Sequence, residues 1–223
     1  MSRTHTIAAV VGLAIALGGP ALLVSPAHRL LGDTDRLATR VLDQFALWLL
    51  LAVILGIVVL WERQPLSSIG VQPLRWQSLT WGAALAAALL WGVVPALAWG
   101  LRSAGIAGFE SGIAMIAALP VWFRVFAVVT AGVTEEALFR GYAVERLALL
   151  IGSYWLAGAI SLAVFALVHL PLWGLGPVLT FVVTGGILTA FFIWRQDLLA
   201  NIVAHVIVDG MGLVVMPLLS RTG

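Results

Sequence analysis

TEEALFR, residues 134–140, is the stretch that decides the fold of this chain, because it places charge inside a long apolar run. Glu135, Glu136 and Arg140 stand among residues apolar enough to lie in a lipid bilayer. At the centre of a membrane helix, each ionised side chain costs roughly 2.5 to 3.5 kcal/mol on insertion scales. Such groups therefore face a protein interior and serve a purpose, which the rest of the sequence must indicate.

The composition of the whole chain is that of a polytopic membrane protein. Of its 223 residues, 62% are hydrophobic and 10% are charged, whereas about 25% are charged in an ordinary soluble domain. A membrane-crossing helix needs about 20 apolar residues, so residues 1–223 suit a single transmembrane domain with short loops. We predict an all-α fold, a polytopic transmembrane helical bundle of about seven spans within a range of six to eight.

Charge and cysteine content exclude several classes of function. The net charge is +2, and all twelve basic residues are arginines scattered along the chain. Nucleic-acid binding requires a clustered basic face, so we expect the lipid bilayer and no nucleic acid as a partner. Cysteine is absent, which excludes disulfides, thiolate catalysis and cysteine-ligated metal sites.

The N-terminal part, residues 1–62, is predicted to form two accessory spans. The first apolar run, residues 7–24, is long for a signal peptide, and residues 25–27 make a poor cleavage site, so we expect a retained span. The second run, residues 41–61, ends on Trp61, a residue typical of the membrane interface. We interpret the charged connection between them, residues 28–40, as a solvated interfacial segment.

Five further crossings follow a turn-rich segment at residues 65–71, which we interpret as a loop or an interfacial element. Pro95 predicts a kink in the first of these crossings, and Pro171 is expected to end the third. A turn is predicted at residues 174–177. In chain order, the five predicted crossings are residues 76–101, 121–150, 155–170, 178–194 and 198–219.

Few ionisable groups remain inside the last four crossings once loops and helix ends are set aside. They are Glu135, Glu136, Arg140, His169, His205 and Asp209. On an α-helix, positions four apart share a face and adjacent positions lie about 100° apart. Glu136 and Arg140 are therefore predicted to stack as an ion pair that supports the site, which leaves Glu135 on another face for chemistry.

The two histidines lie on separate helices. His169 follows Phe165 by four residues and shares its face, although a lone histidine at such a position is more often a core residue bonded to a carbonyl. Asn201, His205 and Asp209 recur at steps of four and form a polar stripe that hydrocarbon cannot satisfy. We predict that three helices converge on one site, with Phe165 and Asn201 as supporting residues.

These side chains are the parts needed to activate water. Glu135 can act as a general base on water that attacks an amide carbonyl, and an imidazole can stabilise the oxyanion. The same groups can instead bind a divalent metal such as zinc, with Glu135, His169, His205 and Asp209 as the possible ligands. The sequence lacks His-Glu-x-x-His, and the metal-dependent and metal-free schemes both stay open.

Three short motifs, Glu135-Glu136-x-x-x-Arg140, Phe165-x-x-x-His169 and His205-x-x-x-Asp209, occur in this order in the chain. In order and spacing they resemble the CPBP family, which comprises CAAX proteases and bacteriocin-processing (Abi) intramembrane proteases. The upstream segment 65–70 is also similar to one common in that family. The resemblance covers residues 65–210 and makes this stretch the expected catalytic core.

The resemblance implies an intramembrane endopeptidase related to type II prenyl-protein endopeptidases, with a membrane-associated protein or peptide as substrate. It makes Glu135 the base that activates water, and His169 and His205 the two histidines of the site. Asp209 stands where characterised members often have asparagine. This aspartate either orients His205 or adds negative charge that favours a metal, in which case the enzyme is a metalloendopeptidase.

Two other classes of function compete with the protease. One is a non-catalytic bacteriocin-immunity or membrane scaffold protein, which family members also include. The other is a proton-coupled transporter that uses the carboxylates and histidines as a relay, although the internal repeat typical of many transporters is not apparent. In each case we expect a multi-pass protein in the plasma membrane of a prokaryote.

Overall fold

The computed structural model describes residues 3–30 and 37–220, and within these ranges the chain is helical with no β-strand. The predicted all-α class is therefore confirmed. Parts of the segment predicted as a loop at residues 28–40 are helical, because one helix extends to Leu30 and the next begins at Leu37. Residues 31–36 of that loop lie outside the described ranges.

Within residues 3–30 and 37–220, six helices are long and apolar enough to cross a membrane, which makes the protein an integral multi-pass membrane protein. They cover Arg3–Leu22, Leu37–Trp61, Trp76–Ser103, Tyr154–Trp173, Leu175–Arg195 and Leu198–Leu219. A further continuous helical stretch, here called the central rod, extends from Val121 to Ile151 and carries the TEEALFR sequence. The predicted range of six to eight spans is confirmed.

Four of the described helical stretches contain or end in a π-helical segment. The α-helices are α1 (Arg3–Leu30), α2 (Leu37–Gly56), α3 (Trp76–Ala88), α4 (Val94–Ser103), α5 (Glu110–Ala117), α6 (Val121–Glu135), α7 (Glu145–Ile151), α8 (Tyr154–Trp173), α9 (Leu175–Arg195), α10 (Leu198–Gly210) and α11 (Met216–Leu219). The π-helical turns are Ile57–Trp61, Leu89–Val93, Glu136–Val144 and Met211–Val215. The π-helical turn Leu89–Val93 lies just before Pro95, the position at which a kink was predicted. Single-turn π-bulges inside α-helices are frequent at functional sites.

The crossing predicted at residues 155–170 does not end at Pro171, so this part of the prediction is wrong. Pro171 lies inside α8, which continues to Trp173. A proline removes one backbone donor and distorts the helix locally, but a membrane helix tolerates this where neighbouring groups satisfy the freed carbonyl. The predicted turn at residues 174–177 is reduced to Gly174, whose φ of 78° favours glycine. Pro177 stands in the first turn of α9, where its missing N–H would have no helical partner anyway.

The central rod is the most deeply buried part of the bundle. All nine residues of its π-helical turn, Glu136–Val144, are buried. Leu138, Phe139 and Tyr142 of this turn form a core with apolar residues of α1, α2 and α8. On α1, a side chain in place of Gly12 would overlap the Tyr142 ring, so glycine permits the close approach.

A buried polar clamp joins Glu62, which follows the π-helical turn after α2, to the rod. Arg146 donates from Nη2 and Nε to Glu62 Oε2 at 2.7 and 2.9 Å, and Tyr142 donates to Glu62 Oε1 at 2.8 Å. Arg146 Nη1 also donates to the Ser68 carbonyl at 2.9 Å. The segment predicted as a loop or interfacial element, which contains the short 3-10 helix Leu66–Ile69, is therefore held against the rod.

Candidate active site

The predicted ion pair within the rod is present. Arg140 Nη1 lies 2.9 Å from Glu136 Oε1, and both side chains are almost completely buried. The guanidinium also lies over the Phe165 ring, 4.6 Å from its centroid. A Cβ at Gly185 would lie 2.9 Å from Arg140 Nη2, so this glycine leaves space for the guanidinium.

Glu136 does more than neutralise Arg140. Its Oε1 lies 2.8 Å from His205 Nδ1, and its Oε2 accepts a hydrogen bond from Asn201 Nδ2 at 3.1 Å. Asn201 Nδ2 also donates to the Leu188 carbonyl at 2.9 Å. One carboxylate thus joins the rod to α10 and fixes the His205 ring. No periodicity connects residues 136 and 205, which is why this contact was missing from the sequence-based prediction.

Glu135 faces the two histidines. Its Oε1 lies 3.6 Å from His169 Nε2, and its Oε2 lies 4.0 Å from His205 Nε2. Both distances exceed a direct hydrogen bond, and polar atoms at such separations are commonly bridged by water. Glu135 retains 19% of its side-chain exposure whereas Glu136 has none. Adjacent carboxylates of one helix therefore have the different environments that the sequence predicted.

His169 is oriented by its own helix. Its Nδ1 donates to the Phe165 carbonyl at 2.8 Å, because a carbonyl oxygen only accepts hydrogen bonds. The ring also packs on the Phe165 and Phe181 rings, at centroid distances of 4.3 and 5.2 Å. These contacts direct Nε2 toward Glu135. The carbonyl bond expected of an ordinary core histidine is thus present together with the contact to the site.

His205 lies between carboxylates from two helices. Its Nδ1 contacts Glu136, and its Nε2 lies 3.3 Å from Asp209 Oδ2 as well as 4.0 Å from Glu135. Asp209 is the most exposed member of the group, with 32% of its side-chain surface accessible. This arrangement places Asp209 where it can orient His205, one of the two roles that the sequence left open.

These side chains line a cavity of about 360 Å³. Glu135, Arg140, His169, His205 and Asp209 contribute polar groups to a wall that is otherwise largely apolar. The cavity also extends past Ala127 and Val128 of α6 and past Gly212 and Leu213 of the last span. An apolar chain with a polarisable amide fits such a space, because the wall is mostly apolar with a few polar groups.

A metal site does not form from the side chains as they stand. Within residues 3–30 and 37–220, no three histidine, aspartate or glutamate side chains are grouped so that they could hold a metal ion. This includes Glu135, His169, His205 and Asp209, the possible ligands named from the sequence. A metal cofactor stays a prediction, and the chemistry proposed below uses only the side chains.

A comparison with known protein families matches the part of the chain that contains this site. Residues 117–211 match the family model described as type II CAAX prenyl endopeptidase Rce1-like. This segment, somewhat less than half of the chain, is therefore similar to the Rce1-like family. Comparisons with curated proteins and with solved structures found no match.

The Rce1-like segment contains every residue predicted for the site, from Glu135 to Asp209. It supports a CAAX-type intramembrane endopeptidase in general terms. The helices before residue 117 add contacts that the motifs do not contain, among them the clamp of Glu62 with Arg146. The wider core predicted at residues 65–210, and the accessory role of residues 1–62, stay predictions.

Proposed function

We propose that this protein is an intramembrane endopeptidase that hydrolyses a peptide bond of a membrane-associated protein or peptide. The observation that carries the proposal is the position of Glu135, whose carboxylate lies 3.6 and 4.0 Å from the Nε2 atoms of His169 and His205 at a cavity wall. The Rce1-like segment supports the same reaction class. As part of this proposal, we place the protein in the plasma membrane of a prokaryote.

The proposed reaction begins with water held between Glu135 and the two imidazoles. Glu135 accepts a proton from this water while the water oxygen forms a bond to the carbonyl carbon of the substrate. The charge that develops on the carbonyl oxygen is stabilised by the Nε2–H of a protonated His205, whose Nδ1–H is held by Glu136 and whose positive charge is supported by Asp209 beside Nε2. When the carbon–nitrogen bond breaks, the proton held by Glu135 passes to the leaving amine.

A reconstituted assay tests the proposal. The purified protein in liposomes is expected to cleave membrane-anchored peptides, and Glu135→Gln is expected to lower kcat about 100-fold or more, since general base catalysis typically contributes 10²–10⁴. His205→Ala should cause a loss of similar size. Glu110→Gln serves as the matched control, because Glu110 is exposed on α5 and lies outside the catalytic cluster. Full activity of both site variants, with unchanged unfolding temperature, would rule out this mechanism.

The same preparations decide between the metal-dependent and metal-free schemes. If the side chains alone activate water, cleavage should persist after dialysis against a strong chelator, and elemental analysis should find no stoichiometric metal. Loss of activity on chelation and its recovery with zinc would instead identify a metalloendopeptidase. Protection or partner binding that survives Glu135→Gln, without cleavage of any peptide, would favour an immunity or scaffold protein.

A further inference from the structure

Arg124 is a buried cation that the proposed reaction does not use. It lies in the first turns of α6, and none of its surface is exposed. Its Nη1 donates to the Leu213 carbonyl at 3.1 Å. Its Nε and Nη2 have no hydrogen-bond partner among the described residues, and no described carboxylate lies within ion-pair distance.

The single hydrogen bond has a local explanation that does not account for the charge. Pro217 has no N–H, so the carbonyl four residues earlier, that of Leu213, lacks its ordinary α-helical donor. Arg124 supplies that donor. A neutral amide would do so equally well, and it would avoid burying a positive charge near the positive end of the α6 dipole.

An unpaired buried charge is strongly unfavourable. Guanidinium groups bind carboxylates through paired, charge-assisted hydrogen bonds, and Arg124 has two donor nitrogens free to make them. The structure therefore provides a group suited to an anion that the described residues do not supply.

Arg124 contacts a residue of the wall of the candidate-site cavity. Leu213, which accepts its hydrogen bond, lines that cavity, and so do Ala127 and Val128 on the next turn of α6. Arg124 itself does not line the cavity, so an anion that enters the cavity would have to displace part of this wall to reach the guanidinium. The same helix carries Glu135 further along, so the cation and the proposed base belong to one rigid element.

We propose that Arg124 binds a carboxylate of the substrate at a fixed distance from the bond that is cleaved. Arg124 and Glu135 are eleven positions apart, which corresponds to about 16 Å along a helix. An extended peptide covers about 3.3 Å per residue, so the carboxylate lies about five residues from the scissile bond. It belongs either to an aspartate or glutamate side chain or to the end of the substrate chain.

This inference rests on the proposed function, and peptide series separate the two. One series carries a single Asp or its matched Asn at positions about three to seven residues from the cleaved bond, on either side. A second series ends at these positions in a free acid or an amide. Wild-type protein should prefer the acidic peptide at one position by about 10- to 100-fold in kcat/KM, since a charge-assisted bond contributes that much.

Arg124→Gln should abolish this preference and leave cleavage of the matched Asn or amide peptide nearly unchanged. Glutamine still offers an amide donor to Leu213, and unfolding temperatures show whether the fold is kept. Arg124→Lys, which retains charge, should keep part of the preference. Arg75→Gln is the control, because Arg75 is exposed at the start of α3. The aspartate and free-acid series identify which source of the carboxylate is bound.

A binding measurement with Glu135→Gln protein gives a readout that does not need turnover. Acidic peptides should bind it about 10-fold or more tightly than their neutral counterparts, and the added Arg124→Gln substitution should remove the difference. Cleavage without preference for acid at any position would overturn the inference and leave the proposed function intact. The effect of Arg124→Gln on cleavage is also compared in phosphatidylcholine vesicles with and without phosphatidylglycerol. If the effect appears only with phosphatidylglycerol, the anion is a lipid and the inference is overturned. No cleavage of any peptide would contradict the proposed function itself.

Discussion

Glu135 and Glu136 are chemically identical neighbours with different environments. Glu136 is completely buried and contacts Arg140, Asn201 and His205, whereas Glu135 is partly exposed in the cavity and has only the looser contacts to the histidines. Their spacing on the rod produces this difference, because adjacent side chains on a helix point about 100° apart. One carboxylate is therefore structural and the other is available for chemistry.

This difference predicts different results for the same substitution at the two positions. Glu136→Gln should destabilise the protein by about 3 to 5 kcal/mol, because it leaves the buried Arg140 guanidinium without its counter-ion. Glu135→Gln should change stability little and remove activity. Reversible unfolding in detergent micelles, followed by circular dichroism, measures both. Equal stability of the two variants would show that Glu136 does not hold the rod to α10.

At the scale of elements, the clamp of Glu62 and Arg146 joins the segment after α2 to the end of the rod. Arg146→Met should destabilise the protein by about 3 to 5 kcal/mol, because Glu62 would stay buried without its partner. Adding Glu62→Gln should restore part of the loss, since the unpaired charge is then removed. A double-mutant cycle measures the coupling, with Arg102→Met as an exposed control. Additive effects would argue against the clamp.

Apolar length was sufficient to predict most helices, but their exact ends were not predictable from it. A span of about 20 apolar residues is imposed by the bilayer, so the predicted range of six to eight crossings was confirmed. The predicted stop at Pro171 was wrong because, in a packed membrane helix, a proline need not end the helix. The helical register predicted the pair of Glu136 with Arg140. The helical register could not predict the contact of Glu136 with His205 or that of Glu62 with Arg146, because both contacts depend on how distant helices pack.

At the scale of the whole molecule, helices distant in sequence surround one cavity. Side chains of α2, α6, α8, α9 and α10 all contribute to its wall, for example Leu47, Ala131, Phe165, Leu188 and Val208. The proposed catalytic groups Glu135, His169, His205 and Asp209 line this space from the rod, α8 and α10. Hydrolysis inside a membrane requires that the cavity admit water, which is a property of the bundle and of no single helix.

The absence of cysteine makes the access of water to the cavity directly measurable. Ala131 lines the cavity one helical turn before Glu135, on the same face of α6. We predict that Ala131→Cys reacts with a charged, membrane-impermeant thiol reagent in liposomes, because a hydrated cavity allows the thiolate to form. Ala86→Cys should stay unmodified in the folded protein, since Ala86 is only 1% exposed within a hydrophobic core. A bound peptide should slow modification at residue 131. An unreactive Ala131→Cys in protein that still unfolds cooperatively would mean that bulk water does not reach Glu135, and general base hydrolysis at this site would then be untenable.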